Sequence, residues 1–158
     1  MIYSLISKGY GRSYTTLKAI FSSLDNAQKN YNWLITDCEC ATFDEDVLNK
    51  LYQNYCWLSG DELTEMVEKE NFQWIWGVLS AFPKNISLEK VLEHRLPFAN
   101  GNPDLWKNPV ALQNPLAEIE IVPWDSTLVI FKSINEEYVK SFREVYPESL
   151  SLSEYNLT

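Results

Sequence analysis

Histidine, glycine and cysteine are all scarce in this chain. Its 158 residues include one histidine, five glycines and three cysteines. A structural zinc site usually takes its ligands from two spaced pairs of Cys or His, and Cys38-Glu39-Cys40 with His94 does not supply them. No glycine-rich phosphate loop or nucleophile motif is present either. We therefore expect no metal, no cofactor and buried structural thiols.

Long apolar runs and basic residues are also in short supply. No run approaches the roughly 20 residues of a membrane-spanning helix, and no signal-peptide pattern opens the sequence. We expect a cytoplasmic protein that does not enter a membrane. Thirteen basic residues against twenty-two acidic ones give a net charge of −9, which repels phosphate backbones and disfavours nucleic-acid binding. The acidity favours a basic protein partner, although it also serves solubility alone.

Apolar and aromatic side chains are plentiful instead. They make up 46% and 14% of the chain, enough for one core in a single globular domain spanning 1–158. The uncharged segment 72–82 is predicted as the central strand, ended by Pro83. Alternation predicts further strands at 2–6, 32–40, 117–122 and 126–132, the last two forming a hairpin. In strand 32–40, one face should carry Trp33, Ile35 and Asp37, and the other Leu34, Thr36 and Cys38.

Capping residues mark the predicted helices. Ser13 is expected to cap a first helix after Gly9-Tyr10-Gly11 ends the first strand. Ser59 and Ser87 each precede a Glu or Lys at capping-box spacing, the second helix running through His94. Asn135 should begin the last long helix. The order predicts an α+β fold: about five strands in a mixed or antiparallel sheet, with four to five helices packed mainly on one face.

Residues 97–115 form the longest irregular segment, with four prolines, one glycine and four asparagines. Such loops are often functional, and a proline-stiffened loop can present Trp106 as a binding anchor. The alternative is that Trp106 folds back to cover the core. The candidate partner-binding residues are Trp106, Asp104, Trp124, Asp125, Glu118 and Glu120.

Two enzyme interpretations have weak support in the spacing of the residues. Cys38 and His94 could act as nucleophile and base if the fold joins them. Glu118 and Glu120 would share a strand face at about 7 Å, a separation close to that of inverting glycosidases. Acids on the solvent face of an edge strand explain that pair better, so no catalytic residue is predicted.

Four segments resemble a small bacterial family of unknown function, found mainly in Firmicutes. The likeness covers most of the chain, and its motifs are Tyr31-Asn32-Trp33, Trp57 to Leu63, Trp76 to Pro83 and Ala117 to Ser126. The chain also resembles the single-domain immunity proteins of bacterial polymorphic toxin systems, which are small, acidic and cytoplasmic. That resemblance implies a protein that neutralises a toxin by covering its active site.

The favoured function is therefore a non-catalytic acidic binding protein, an immunity protein whose partner is a basic toxin domain. A small-molecule or nucleotide-binding enzyme with a cleft beside the 97–115 loop is the first alternative. A structural or assembly subunit that forms a homo-oligomer through the Trp106 region is the second.

Overall fold

A computed structural model describes residues 1–8 and 15–158 of the chain. Its strands are β1 (Tyr3–Lys8), β2 (Tyr31–Ala41), β3 (Cys56–Ser59), β4 (Gln73–Pro83), β5 (Ile119–Trp124) and β6 (Leu128–Ser133). The α-helices are α1 (Lys18–Ser23), α2 (Glu45–Leu51), α3 (Gly60–Lys69), α4 (Leu88–Val91), α5 (Glu136–Val145) and α6 (Leu152–Asn156). Short 3-10 helices occupy Ala27–Asn30 and Pro103–Trp106. The predictions for Gly9-Tyr10-Gly11 and Ser13 lie outside the described residues.

All six strands of the described chain join one antiparallel sheet in the order β1-β6-β5-β4-β2-β3. The α+β prediction is confirmed, and β4 does lie inside the sheet. The described residues hold one strand and one helix more than the upper prediction. The additional strand β3 is only four residues long and pairs with the edge of β2. The additional helix α6 has a complete capping box between Ser151 and Glu154, a pattern that was readable in the sequence.

Helices α1, α2, α3 and α5 cover one face of the sheet, which we call the helix face. The strands contribute alternate residues to its core because successive side chains point to opposite sides. Trp33, Trp74 and Phe131 are among the largest buried strand residues there, and Phe142 of α5 stacks on Phe131 with ring centroids 4.8 Å apart. This is the larger of the two apolar layers.

The opposite face is covered by the chain between β4 and β5 together with α6, and we call it the loop face. Its strand residues include Ile6, Val78 and Ile130, against which Leu105 and Leu152 pack. A neighbouring apolar cluster joins Leu34 and Phe82 to Val91, Leu112 and Ala117. The sheet therefore has no large solvent face, and the residues that alternation predicts as outward are covered by the long loop.

A bulge at Asp37 changes the predicted alternation in β2. Asp37 has a positive φ of 50°, and the pairing with β4 shifts between Thr36 and Glu39. The extra residue puts the Asp37 carboxylate on the loop face, where it accepts hydrogen bonds from the backbone of Ala99. The prediction that Asp37 lies with Trp33 and Ile35 is wrong for this reason. Cys38 and Cys40 pack with the helix-face core instead.

The predicted caps at Ser59, Ser87 and Asn135 are confirmed. Ser59 Oγ accepts a hydrogen bond from the backbone N–H of Glu62 at 3.1 Å. The Glu62 carboxylate accepts one from the backbone N–H of Ser59 at 3.0 Å. The helix begun by Ser87 ends at Val91 and not at His94, because the following N–H groups of Glu93 and His94 bond three residues back, as in a 3-10 turn. None of the helices in the described ranges is long and apolar enough to cross a bilayer.

Candidate ligand-binding site

The long loop between α4 and β5 is held against the loop face by polar side chains. Asp37 Oδ2 accepts the N–H groups of Ala99 and Asn100 at 2.8 and 3.0 Å. Asn114, which is 1% exposed, donates its side-chain amide to the carbonyl of Val91 at 3.2 Å. These bonds satisfy backbone groups that the covering loop would otherwise bury without partners. The loop therefore has a defined path over the sheet.

Gln113 connects the later part of this loop to the earlier part, which contains Phe98 and Asn102. Its Oε1 accepts from the Phe98 N–H at 2.9 Å and from Asn102 Nδ2 at 3.1 Å, while its Nε2 donates to the Phe98 carbonyl at 3.1 Å. Asn102 also donates to that carbonyl, at 2.9 Å. A side-chain amide that uses both its oxygen and its nitrogen on one neighbour is fixed in orientation.

A polar row crosses the loop face beneath this loop. Ser4, Lys132, Glu120 and Ser80 lie directly opposite one another on β1, β6, β5 and β4. Lys132 Nζ lies 3.3 Å from Glu120 Oε1 and donates to the Ala111 carbonyl at 3.1 Å. Glu120 Oε2 accepts from the Gln113 N–H at 2.8 Å. The Lys132 and Glu120 side chains are 2% and 0% exposed, so both charges are buried and the pair also pins the loop.

A cleft of about 420 Å³ opens between these two parts of the loop, and Lys132 of the sheet is among the residues that line it. About half of its lining residues are apolar, and amides and charged groups supply the other half. The lining residues used below are Arg95, Phe98, Leu105, Lys107, Leu112 and Lys132. The volume lies in the range typical of small-molecule sites, which combine apolar walls with a few placed polar groups.

Three cationic side chains line the cleft of this acidic protein, and two of them have acidic partners. Lys107 pairs with Asp104 at 2.5 Å, and this contact holds the pKa of the Asp104 carboxyl below its ordinary value. Lys132 pairs with Glu120. Arg95 lies over the Phe98 ring, 4.9 Å from its centroid, and forms no ion pair within 4.0 Å in the described part of the chain. Arg95 is therefore the cation best able to meet an incoming anion.

Most of the predicted partner-binding residues lie in or beside a cluster of aromatic rings around Trp106. Trp106 is half-buried, stacks on Tyr155 with centroids 5.5 Å apart and meets the edge of Trp124 at 5.6 Å. Asp104 and Asp125 are exposed, Asp104 two residues before Trp106 and Asp125 directly after Trp124. Trp106 thus packs on the loop face while keeping part of its ring at the surface.

Glu118 and Glu120 do not form the exposed pair that the sequence predicts. β5 lies between β4 and β6, so it is not an edge strand. Glu118 is half-buried just before β5, and Glu120 is buried under the loop beside Lys132. The expectation of two acids on a solvent face is therefore wrong for Glu120, because the loop covers that face. Glu120 is not available to a protein partner.

The sequence interpretation missed Arg95, Gln113 and Lys132. A signal for Lys132 was present: the hairpin between β5 and β6 brings Glu120 and Lys132 opposite each other, and opposite charges facing across strands stabilise a pair. The enzyme pairing of Cys38 with His94 has no contact to support it among the described residues. Within those residues, no group of three or more His, Cys, Asp or Glu side chains is arranged to hold a metal ion.

The fold and the cleft define an α+β protein with a six-stranded antiparallel sheet and a loop-enclosed pocket on one face. Residues 5–102 match the family model described as "Protein of unknown function (DUF2691)". The match covers more than half of the chain, which therefore belongs to this family. Comparisons with curated proteins and with solved structures give no significant match. The prediction of an uncharacterised family is confirmed, while bacterial origin and likeness to immunity proteins stay predictions.

Proposed function

We propose that the protein binds a small molecule with an anionic group and an apolar body in the cleft beneath the loop. The observation that carries this proposal is the cleft itself, with its apolar residues, its fixed amides and, at its side, Arg95, which forms no ion pair with any residue that the structure describes. A guanidinium is suited to carboxylates and phosphates because its planar donors match two oxygens at once. The ligand's apolar part would lie against Phe98, Leu105 and Leu112.

The site suits binding more than covalent chemistry. Its polar lining consists of amides, cations and the Asp104 carboxylate. Lys132 Nζ is held by Glu120 and by the Ala111 carbonyl, so it is not free to act as a nucleophile. A cytoplasmic protein that retains a small anionic ligand without changing it is the function that this arrangement favours.

Calorimetric titration with two matched probes tests the proposal. Phenyl phosphate and phenol share an aromatic body and differ in charge. We expect phenyl phosphate to bind at least about tenfold more tightly than phenol, and Arg95→Gln to remove most of that difference. Arg143→Gln, which changes an arginine outside the cleft, is the matched control and should keep it. Equal affinities for the two probes, or equal losses in the two variants, would contradict the proposal.

A second candidate is the immunity-type function, in which the protein covers a basic toxin domain. The net charge of −9 and the surface formed by Trp106, Trp124, Asp104 and Asp125 support it. Co-expression with a toxin encoded beside this gene should protect cells, and Asp125→Asn together with Trp124→Ala should abolish protection while Arg95→Gln preserves it. No protection by the unaltered chain would count against this function.

A homo-oligomer built on the same aromatic surface is a further alternative. It predicts a concentration-dependent mass in sedimentation that the Asp125→Asn, Trp124→Ala variant loses. The anionic-ligand proposal predicts no such dependence, so the two are distinguishable with the same protein preparation.

A further inference from the structure

The cleft that we propose as the ligand site receives a cation from the sheet as well as cations from the loop. Lys132 of β6 lines it, and its other lining residues belong to the loop segment 95–113. Arg95 is exposed, whereas the Lys132 side chain is only 2% exposed. A ligand in the cleft can therefore meet one cation near solvent and a second cation that the loop covers.

The Lys132 ammonium has more hydrogen-bond donors than the protein uses. An ammonium group carries three N–H donors. One is bonded to the Ala111 carbonyl at 3.1 Å. Glu120 Oε1 lies 3.3 Å from the same nitrogen, yet this buried oxygen accepts no hydrogen bond from the described residues. Lys132 and Ala111 both line the cleft, so an acceptor on a bound ligand can approach an N–H that the protein leaves unused.

The charges at the cleft are balanced except for one. Lys132 is paired with Glu120 at 3.3 Å, and Lys107 is paired with Asp104 at 2.5 Å. Arg95 forms no ion pair with any residue that the structure describes. Three cations and two carboxylates leave a net charge of +1. A ligand with one negative charge neutralises this site, whereas a second anion beside Lys132 would bring two carboxylates together where little water reaches them.

We propose that the ligand is an organic monocarboxylate whose apolar body carries a neutral acceptor, a carbonyl or hydroxyl oxygen, away from the carboxylate. This ligand class rests on the proposed function of the cleft and specifies it. Arg95 binds the carboxylate through its planar donors, and Lys132 donates an N–H to the neutral oxygen. A neutral oxygen gains this hydrogen bond without adding charge next to Glu120. A phosphate monoester carries about two negative charges near pH 7, so the charge count favours a carboxylate.

Calorimetric titration at pH 7 with three matched aromatic carboxylates tests the proposal. 4-Acetylbenzoate carries a neutral carbonyl, 4-isopropylbenzoate has a similar shape without that acceptor, and terephthalate has a second carboxylate in its place. We expect 4-acetylbenzoate to bind at least about tenfold more tightly than either of the others, because an unpaired buried donor and a second buried anion are both unfavourable. Arg95→Gln should weaken the binding of all three, since all three keep the first carboxylate.

The double variant Glu120→Gln, Lys132→Met removes the donor and its counter-charge together. Gln at position 120 keeps an acceptor for the Gln113 N–H, which Glu120 Oε2 binds at 2.8 Å. This variant should bind 4-acetylbenzoate and 4-isopropylbenzoate with equal affinity. Lys140→Met changes an exposed lysine of α5 outside the cleft and is the matched control, which should keep the preference for 4-acetylbenzoate. Near-ultraviolet circular dichroism checks that each variant is folded, and the comparison of the three ligands on the unaltered chain needs no variant.

The same titrations distinguish failure of the ligand class from failure of the proposed function. If 4-isopropylbenzoate or terephthalate binds as tightly as 4-acetylbenzoate and Arg95→Gln weakens that binding, the ligand class is overturned and the anionic-ligand function stands. Binding of phenyl phosphate without binding of any carboxylate has the same meaning. If neither phenyl phosphate nor a carboxylate binds, both are overturned. A folded double variant that keeps the tenfold preference would show that Lys132 does not donate to the neutral oxygen.

Discussion

Glu120 and Lys132 face each other across β5 and β6 as a buried ion pair, with Lys132 Nζ 3.3 Å from Glu120 Oε1. Each charge also binds the covering loop, Glu120 through the Gln113 N–H and Lys132 through the Ala111 carbonyl. The pair thus connects β5 to β6 and connects both strands to the loop that forms the wall of the cleft. Its energetic role can be measured directly.

Lys132→Met should lower the free energy of unfolding by about 3–5 kcal/mol, because it leaves the Glu120 carboxylate buried without its counter-charge. Urea denaturation gives the value. The double variant Glu120→Gln, Lys132→Met removes both charges and should recover much of the loss. If the double variant is as unstable as Lys132→Met or worse, the uncompensated charge is not the cause.

Gly60→Ala should be destabilising although alanine is the better helix former. A Cβ at Gly60 would lie 2.2 Å from the Gln28 carbonyl oxygen and 2.6 Å from Lys29 Cα, so backbone must move. We expect a loss of about 1–3 kcal/mol in thermal or urea unfolding. Gly77→Ala is the matched control: its Cβ would meet the Trp74 ring at 3.6 Å, an ordinary contact, and should be neutral or slightly stabilising. A Gly60→Ala protein as stable as the native chain would contradict the close approach.

The Ser59 capping box predicts a pH dependence of stability. The Ser59 N–H, and then its side chain, lower the pKa of Glu62 below its ordinary value of 4.5. A carboxyl with a lowered pKa in the folded state stabilises above its unfolded pKa, and that contribution is lost as pH falls through the folded pKa. Glu62→Gln keeps an acceptor for the cap but does not titrate. The stability difference between the native chain and this variant should shrink from about pH 6 to about pH 3. Parallel pH profiles for the two proteins would show that Glu62 makes no such contribution.

Trp106→Ala separates the structural and binding roles of this residue. Because its ring stacks on Tyr155 and meets Trp124 at 5.6 Å, we expect a loss of about 2 kcal/mol, below that of a fully buried tryptophan. Trp106→Phe, which keeps a ring, should lose less. An unchanged melting temperature would mean that these contacts contribute nothing and would favour a purely external anchor.

Local signals predicted much of the fold. Ser59, Ser87 and Asn135 were correct as caps because capping depends on neighbours within one turn. The hairpin that joins Ile119–Trp124 to Leu128–Ser133 follows from two β-branched runs beside a short turn. These features require no knowledge of distant parts of the chain.

Distant contacts account for what the sequence interpretation missed. Glu120 has the pattern of an outward residue, and only the path of the loop between α4 and β5 determines that it is buried. The bulge at Asp37 is likewise stabilised by the Ala99 and Asn100 N–H groups, about sixty positions away in the chain. The position of the cleft was predictable from the proline-rich composition, but Arg95 and Lys132 could be assigned to it only after the loop was placed.

The pairing of β1 with β6 affects how the protein is made. Tyr3 pairs with Ser133, so β1 finds its neighbour only when synthesis has passed β6. The ribosome therefore exposes β1 and the apolar faces of β2 and β4 before β5 and β6 can complete the sheet. Contacts between such distant segments slow folding and leave apolar strands open to aggregation. A nascent chain of this protein should consequently associate with chaperones until β6 has emerged.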